Sequence, residues 1–177
     1  QLVVRSSLNT SEGTIVKEDA KMEKMLVSGV AADKDAARIA LIGLKDEPGV
    51  AFRLFNHLAR HNINVDMILQ SVGRDGTKDI SFTVTKNNLN EALELLAGEK
   101  NALCYEDISH REDISKVSIV GAGMTNNPGV AAKMFEALYE AGINIHMIST
   151  SETKISVLVN VANAEKAVQA IHDKFLI

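Results

Sequence analysis

The chain contains the same pattern twice. Pro48-Gly49-Val50-Ala51 recurs as Pro128-Gly129-Val130-Ala131. Held at that offset across residues 48–71, eleven of 24 aligned positions are identical, among them Phe55 with Phe135, Ile63-Asn64 with Ile143-Asn144, and Met67-Ile68 with Met147-Ile148. An ungapped match of that density marks a duplication, so the two stretches must share one fold.

Each copy starts with a β run, residues 38–44 and 116–122. A Pro-Gly turn and an amphipathic helix follow. Val50, Leu54 and Leu58 repeat every fourth residue on one face, as do Val130, Met134 and Leu138. His61-Asn62 and Ala141-Gly142 mark the helix ends, where Asn or Gly suits a left-handed cap. Second strands are expected at 64–72 and 144–150, and third strands at 79–85 and 154–161. The turn at Arg74-Asp75-Gly76 joins the first pair as a hairpin. Second helices at 89–97 and 164–174 follow, with Asn88 and Asn163 at their N-cap positions.

The first copy has a fourth strand candidate at 103–108, and the second has none. A three-stranded sheet would leave an open edge. The β-like run at 25–31, ahead of the first copy, can supply the missing strand; the alternative is that it only links the copies. The expected class is therefore α+β: two ferredoxin-like βαββαβ modules, antiparallel sheets with helices on one face, the first inserted into the second. Residues 38–114 form the inserted module, and 25–37 with 115–177 form the other. Leu2-Val3-Val4 reads as a short strand, and 18–24 as a charged linker or short helix.

Composition excludes several roles. A net charge of −4 with no basic stretch argues against nucleic acid. No apolar run is long enough to cross a bilayer, and the first residues lack a signal-peptide pattern. One cysteine, Cys104, cannot pair internally, which fits a reducing cytoplasmic setting, and it reads as a buried strand residue rather than a nucleophile. The opening without Met reads as a fragment or processed subunit. Gly121-Ala122-Gly123 lacks the third glycine and the crossover of a dinucleotide loop. His57 and His61 have metal-pair spacing but no third ligand, and read as surface histidines. Met67 and Met147 read as core filler. No catalytic or metal site emerges.

A binding site does. The turn after each first strand delivers backbone N–H groups at a helix N-terminus, which attract an anion such as an α-carboxylate. Pro48 suits the first helical turn, and Gly49 permits close approach. In the first copy Asp46 can accept from an α-ammonium group or simply cap the helix. Gln70 can donate and accept, and Asn64 begins the second strand. The second copy differs: Asn126 stands for Asp46, His146 for Asp66 and Thr150 for Gln70. Glu152, beside Thr150 and Ser151, can meet a cationic side chain or be an ordinary turn residue.

The 46–51 turn, the run 62–70, Val120-Gly121-Ala122-Gly123-Met124 before Pro128-Gly129-Val130, and Ile148-Ser149-Thr150-Ser151-Glu152 together resemble aspartate kinase. The resemblance runs from about residue 25 to 175. Val4-Arg5-Ser6-Ser7 and Glu12-Gly13-Thr14 also resemble the end of that enzyme's catalytic domain, so residues 1–24 are expected to be that end plus a linker. It implies tandem ACT modules that bind lysine and often threonine, and that feedback-inhibit ATP-dependent phosphorylation of aspartate. Some members make this half as a separate β subunit, for which Met22 or Met25 would be a start. Position by position, it implies effector contacts at Asp46, Gly49, Val50, Ala51, Asn64, Asp66 and Gln70, and at Met124, Val130, Ala131, Asn144, Ile145, Thr150, Ser151 and Glu152. It further implies a homodimer through the modules and a kinase catalytic domain or α subunit as partner. No cofactor is expected in this chain, ATP and Mg belonging to the kinase domain. A stand-alone ACT-type amino-acid-binding regulator is the alternative.

Overall fold

The computed structural model describes residues 2–4, 14–16, 27–71, 76–122, 124 and 127–176. Its elements are β1 (Leu2–Val4), β2 (Thr14–Val16), β3 (Gly29–Lys45), α1 (Val50–Arg60), β4 (Ile68–Gln70), β5 (Thr77–Val84), α2 (Leu89–Gly98), α3 (Lys100–Leu103), β6 (Asp107–Val120), α4 (Val130–Glu140), β7 (Met147–Thr150), β8 (Lys154–Asn160) and α5 (Ala164–Leu176). The short β1 pairs antiparallel with β2. The expected linker at 18–24, the hairpin residues Arg74 and Asp75, and Asn126 lie outside the described residues.

The expected antiparallel sheets of the two modules are joined edge to edge in one six-stranded sheet, in the order β4-β5-β3-β6-β8-β7. The cause is that two strands serve both copies. β3 runs for 17 residues. Its first part pairs with the end of β6 (Val30↔Ile119, Ala32↔Val117), and its last part pairs with β5 and with the start of β6 (Ile39↔Phe82, Ile39↔His110). Each half is thereby four-stranded, with two strands contributed by the same long pair. Register shifts between Asp33 and Ala36 and between Ala36 and Arg38 mark the changeover.

Residues 27–31 are thus placed against the second copy. Val30 pairs with Ile119, and Val27 is buried with Val117, Val157 and Val159. The expected strand at 103–108 is corrected. Its first residue, Leu103, ends α3, and Cys104 is exposed in a left-handed turn (φ 52°), not buried in a strand. Tyr105 explains this: its ring is buried, and its hydroxyl donates to the Leu96 carbonyl at 3.0 Å, which pins the chain against α2 before it can extend.

Two cores lie under the helices. Ala37, Ile39 and Leu41 alternate along β3 and face Leu54 and Leu58 of α1 and Leu96 of α2. Val117, Ile119 and Val157 face Met134, Leu138 and Ile171 in the same way. The expected helix caps hold: Asn62 (φ 57°) and Gly142 (φ 68°) are left-handed, and Ile63 and Ile143 donate to Leu58 and Leu138. Asn88 stands at the N-cap of α2 as expected, but its side chain makes no capping hydrogen bond; in the second copy Asn163 ends a 3-10 turn before α5, and Asn160 caps that turn by accepting from Ala162 N at 2.9 Å.

On the opposite sheet face Ile114 and Leu158 are covered by Met67 and Met147, which lead into the edge strands. The sheet curls enough to bring β4 and β7 near one another. The methionines are core filler, as expected, of a small third core where the halves meet.

Candidate functional site

The second copy forms a cleft at the N-terminus of α4. Gly129 precedes the helix with φ 99°, a conformation that costs glycine little and other residues more. The first helical amides follow at Val130 and Ala131, and Lys133 N donates to Gly129 O at 2.8 Å. The helix therefore aims its early N–H groups and positive dipole end outward. Opposite stands the end of β7, where Thr150 pairs with Ile155. Ser151 N donates to Lys154 O at 2.7 Å, and Met124 N to Glu152 O at 3.2 Å, which fixes both loops around the opening.

The resulting space is about 460 Å³, lined by Met124, Asn127, Pro128, Gly129, Val130, Ala131, Thr150, Ser151, Glu152 and Ile155. Six of the eight expected second-copy positions are brought together here. Asn144 and Ile145 are not: they precede β7, Asn144 exposed and Ile145 packed against the second core. Asn127, Pro128 and Ile155 line the cleft although sequence reasoning did not select them. The chemistry is mixed: amide donors at one wall, hydroxyls and one carboxylate at the other, and apolar Met124, Val130 and Ile155 between. That suits a small zwitterion with a side chain.

The first-copy positions separate into two groups. Gly49 (φ 92°), Val50 and Ala51 open α1 as their counterparts open α4. Asp46 lies beside them, and its Oδ1 accepts from Lys78 Nζ at 2.9 Å; that lysine is only 10% exposed while the Asp46 side chain is 59% exposed. The carboxylate thus already holds one cation and keeps one side open to solvent. Gln70 sits exposed on the edge strand, paired with Ile80.

Asn64 and Asp66 belong elsewhere. The expected strand at 64–72 is regular only from Ile68; ahead of it Asp66 N donates to Thr83 O at 3.1 Å, Thr83 N to Met67 O at 3.0 Å and Met67 N to the Thr83 hydroxyl at 3.0 Å, so two residues face one. Residues 64–66 instead line a second cleft of about 320 Å³ with Asp33, Asp35, Thr83, Thr85 and Lys116. Lys116, 17% exposed, donates to Asp66 and lies 3.4 Å from Asp33. Burial alone pushes its ammonium pKa down. The hydrogen bond and charge of Asp66, joined by the charge of Asp33, outweigh this and hold it above the ordinary value. Lys116 was missed as a site residue; its signal was the one charged side chain of the expected strand at 116–122.

The remaining candidates stay structural. His57 and His61 stack on the outside of α1 with ring centroids 4.9 Å apart. No group of three potential metal ligands occurs among the described residues. No described helix is long and apolar enough to cross a membrane.

The ACT domain family matches residues 39–99 and 117–175, the two halves of this sheet. An aspartokinase of Helicobacter pylori is 48% identical over 178 residues, covering 97% of this chain and 43% of that protein. The chain thus spans less than half the length of that relative. Among solved structures, aspartokinase alpha and beta subunits align with a TM-score of 0.79 at 44% identity, covering 85% of this chain and 99% of that chain. The ligand-free regulatory subunit of aspartate kinase from Thermus thermophilus aligns with a TM-score of 0.79 at 46% identity, covering 85% and 99%. The duplicated βαββαβ plan, the shared strands and these likenesses agree: the chain belongs to the ACT-domain family, within the branch formed by the regulatory part of aspartokinases.

Proposed function

We propose that this chain senses lysine, threonine or both, and by binding them feedback-inhibits an aspartate kinase catalytic domain or α subunit. The observation that carries the reading is the 460 Å³ cleft, where amides of a helix start face Thr150, Ser151 and Glu152. The effector's α-carboxylate sits on the α4 amides. Its side chain points to the β7 end, where Glu152 favours a cationic tail and the hydroxyls favour a short polar one. In the first copy Asp46 offers its open side to an α-ammonium group.

The reading extends to the assembly. Ile68, Leu69 and Ile148 are exposed on the edge strands β4 and β7. Apolar open edges favour pairing with a second copy, so the working unit is a cytoplasmic homodimer attached to the kinase. Inhibition follows by linkage: effector binds one arrangement of the dimer more tightly and shifts the kinase toward its inactive state. The ATP, Mg and phosphoryl chemistry belong to that kinase, and this chain carries none.

Titration calorimetry of the chain with threonine, lysine and both together, with light scattering in parallel, tests this. Saturable heat with at least one amino acid and a shift toward dimer is expected. Absence of heat with both, for the chain alone and for the chain joined to its kinase, refutes the proposal. Saturable heat with no effect on kinase activity identifies a stand-alone regulator instead.

A further inference from the structure

The duplication places two equivalent side-chain clusters where the halves of the sheet meet. Asp33 pairs with Lys116 across β3 and β6, and Arg111 pairs with Arg38 across the same strands at the equivalent position. Asp66 and His146 are also equivalent: Asp66 N donates to Thr83 O and His146 N to Leu158 O. In the first cluster a lysine lies between two carboxylates. In the second, every one of the three positions is basic.

The second cluster is electrostatically incomplete. Like charges directly opposite one another in a sheet repel. Asp113, held by Arg111 Nε at 2.9 Å, is the carboxylate on hand, and it also accepts from Asn160. Arg38 is half-buried; its Nε is closed off from solvent and has no hydrogen-bond partner among the described residues. Arg111 Nη1 lies 3.2 Å from His146 Nδ1, a contact that suits a neutral ring accepting from the guanidinium. Burial, then the charges of Arg111 and Arg38, lower the His146 pKa, with Asp113 acting in the opposite sense. A guanidinium nitrogen closed off from water without an acceptor, as at Arg38, is costly, and two guanidiniums beside one imidazole are matched by an oxygen-rich anion.

We propose that Arg38, Arg111 and His146 form a binding site for a small oxyanion, a carboxylate or a phosphate group. The site shares no residue with the cleft at α4. It bridges the halves, since Arg38 and Arg111 belong to the strands of the first and His146 leads into β7 of the second. An anion here supplies the acceptor that Arg38 lacks and favours a protonated His146, which then becomes a further donor. Affinity therefore rises as pH falls through the His146 titration.

The test follows the His146 ring resonances of the whole chain by NMR while inorganic phosphate, and separately malonate, is added at constant ionic strength set with chloride. A saturable shift with an upward move of the His146 titration midpoint is expected. Saturation by phosphate alone assigns a phosphate group, and by malonate alone a carboxylate. Arg38→Gln is expected to weaken binding at least about tenfold, the loss of one charge-assisted hydrogen bond. Arg38→Lys keeps the charge without the fork and falls between, which guards against a folding defect in the first variant. Lys34→Gln, an equal loss of charge on an exposed side chain, leaves affinity unchanged. A linear, non-saturating shift, or equal affinity in Arg38→Gln, means an adventitious ion only and overturns the proposal. Self-association that phosphate reverses places the carboxylates of a second copy on the cluster and overturns it equally.

Discussion

Replacing Lys116 by Met tests how the two halves are clasped. Lys116 belongs to β6 in its second-copy portion, and Asp66 to the lead-in of β4 in the first copy, so their bond spans the join. The lysine is 17% exposed and the two carboxylates 47% and 49%. A charge-assisted hydrogen bond contributes about 1.5–3 kcal/mol when well shielded, and an exposed ion pair about 0.2–1. Half-exposed partners place this one between, at about 1–2 kcal/mol. Met keeps the length of the stem and its packing, so the loss reports the ammonium group.

The assay is urea unfolding of the parent chain, Lys116→Met, Asp66→Asn and the double variant, which isolates the pair term. The sign of the pH effect follows from the raised lysine pKa. Stability from a group raised on folding is fully present below its unfolded value, about 10.4, and is lost as pH rises through the higher folded value. The gap between parent and Lys116→Met should therefore be flat from about pH 6 to 9 and narrow above about pH 10.4. A coupling below about 0.3 kcal/mol, within the additivity error of independent sites, or a gap that widens at alkaline pH, refutes the reasoning.

Gly129→Ala is expected to cost about 1–2 kcal/mol from the left-handed backbone alone, because a Cβ there meets nothing within 4 Å; thermal unfolding checks it, and calorimetry should show weaker effector binding as the helix start relaxes. Glu152→Gln is expected to weaken lysine binding about tenfold while leaving threonine within about twofold, the difference of one charged contact; parallel titrations with both amino acids read it. Leu58→Ala, at a fully buried position of the first core, should cost about 2–5 kcal/mol, seen as a lower urea midpoint.

The helices were legible because their burial is periodic: Val50, Leu54 and Leu58 face the core as their spacing predicts. The fusion of the sheets was not legible. The expected strands end at 108 and resume at 116, yet the backbone runs through His110-Arg111-Glu112-Asp113 as one strand, β6. Main-chain pairing to β3 holds that segment, and such pairing leaves no hydrophobic signature. Cys104 was misplaced for a related reason: the neighbour that decides its conformation, Tyr105, acts through one hydroxyl and one distant carbonyl. At the site, the second-copy group was legible because turn and strand end recur as contiguous motifs. Asn64 and Asp66 were not, because their cleft is completed by Asp33 and Lys116, residues drawn in by the register of the shared strands.

On the proposed sensing role, the shared strands couple the two copies. The fourth strand of each half is continuous with the first strand of the other: 29–33 runs on into the rest of β3, and 107–111 into the rest of β6. Movement at one helix start therefore reaches the second half along unbroken backbone, with its irregularities between Asp33, Ala36 and Arg38. Charged side chains crowd that same stretch. Asp33 and Lys116 lie on one side of it, and Arg38 and Arg111 on the other; the first pair is bonded, whereas Arg38 Nε has no acceptor among the described residues. Packed cores deform little, whereas a register break tied by charged side chains can change its angle at smaller cost. The join is thus the place where two stiff halves can take up different relative positions. An effector that prefers one of those positions needs only the few kcal/mol of its differential affinity to select it.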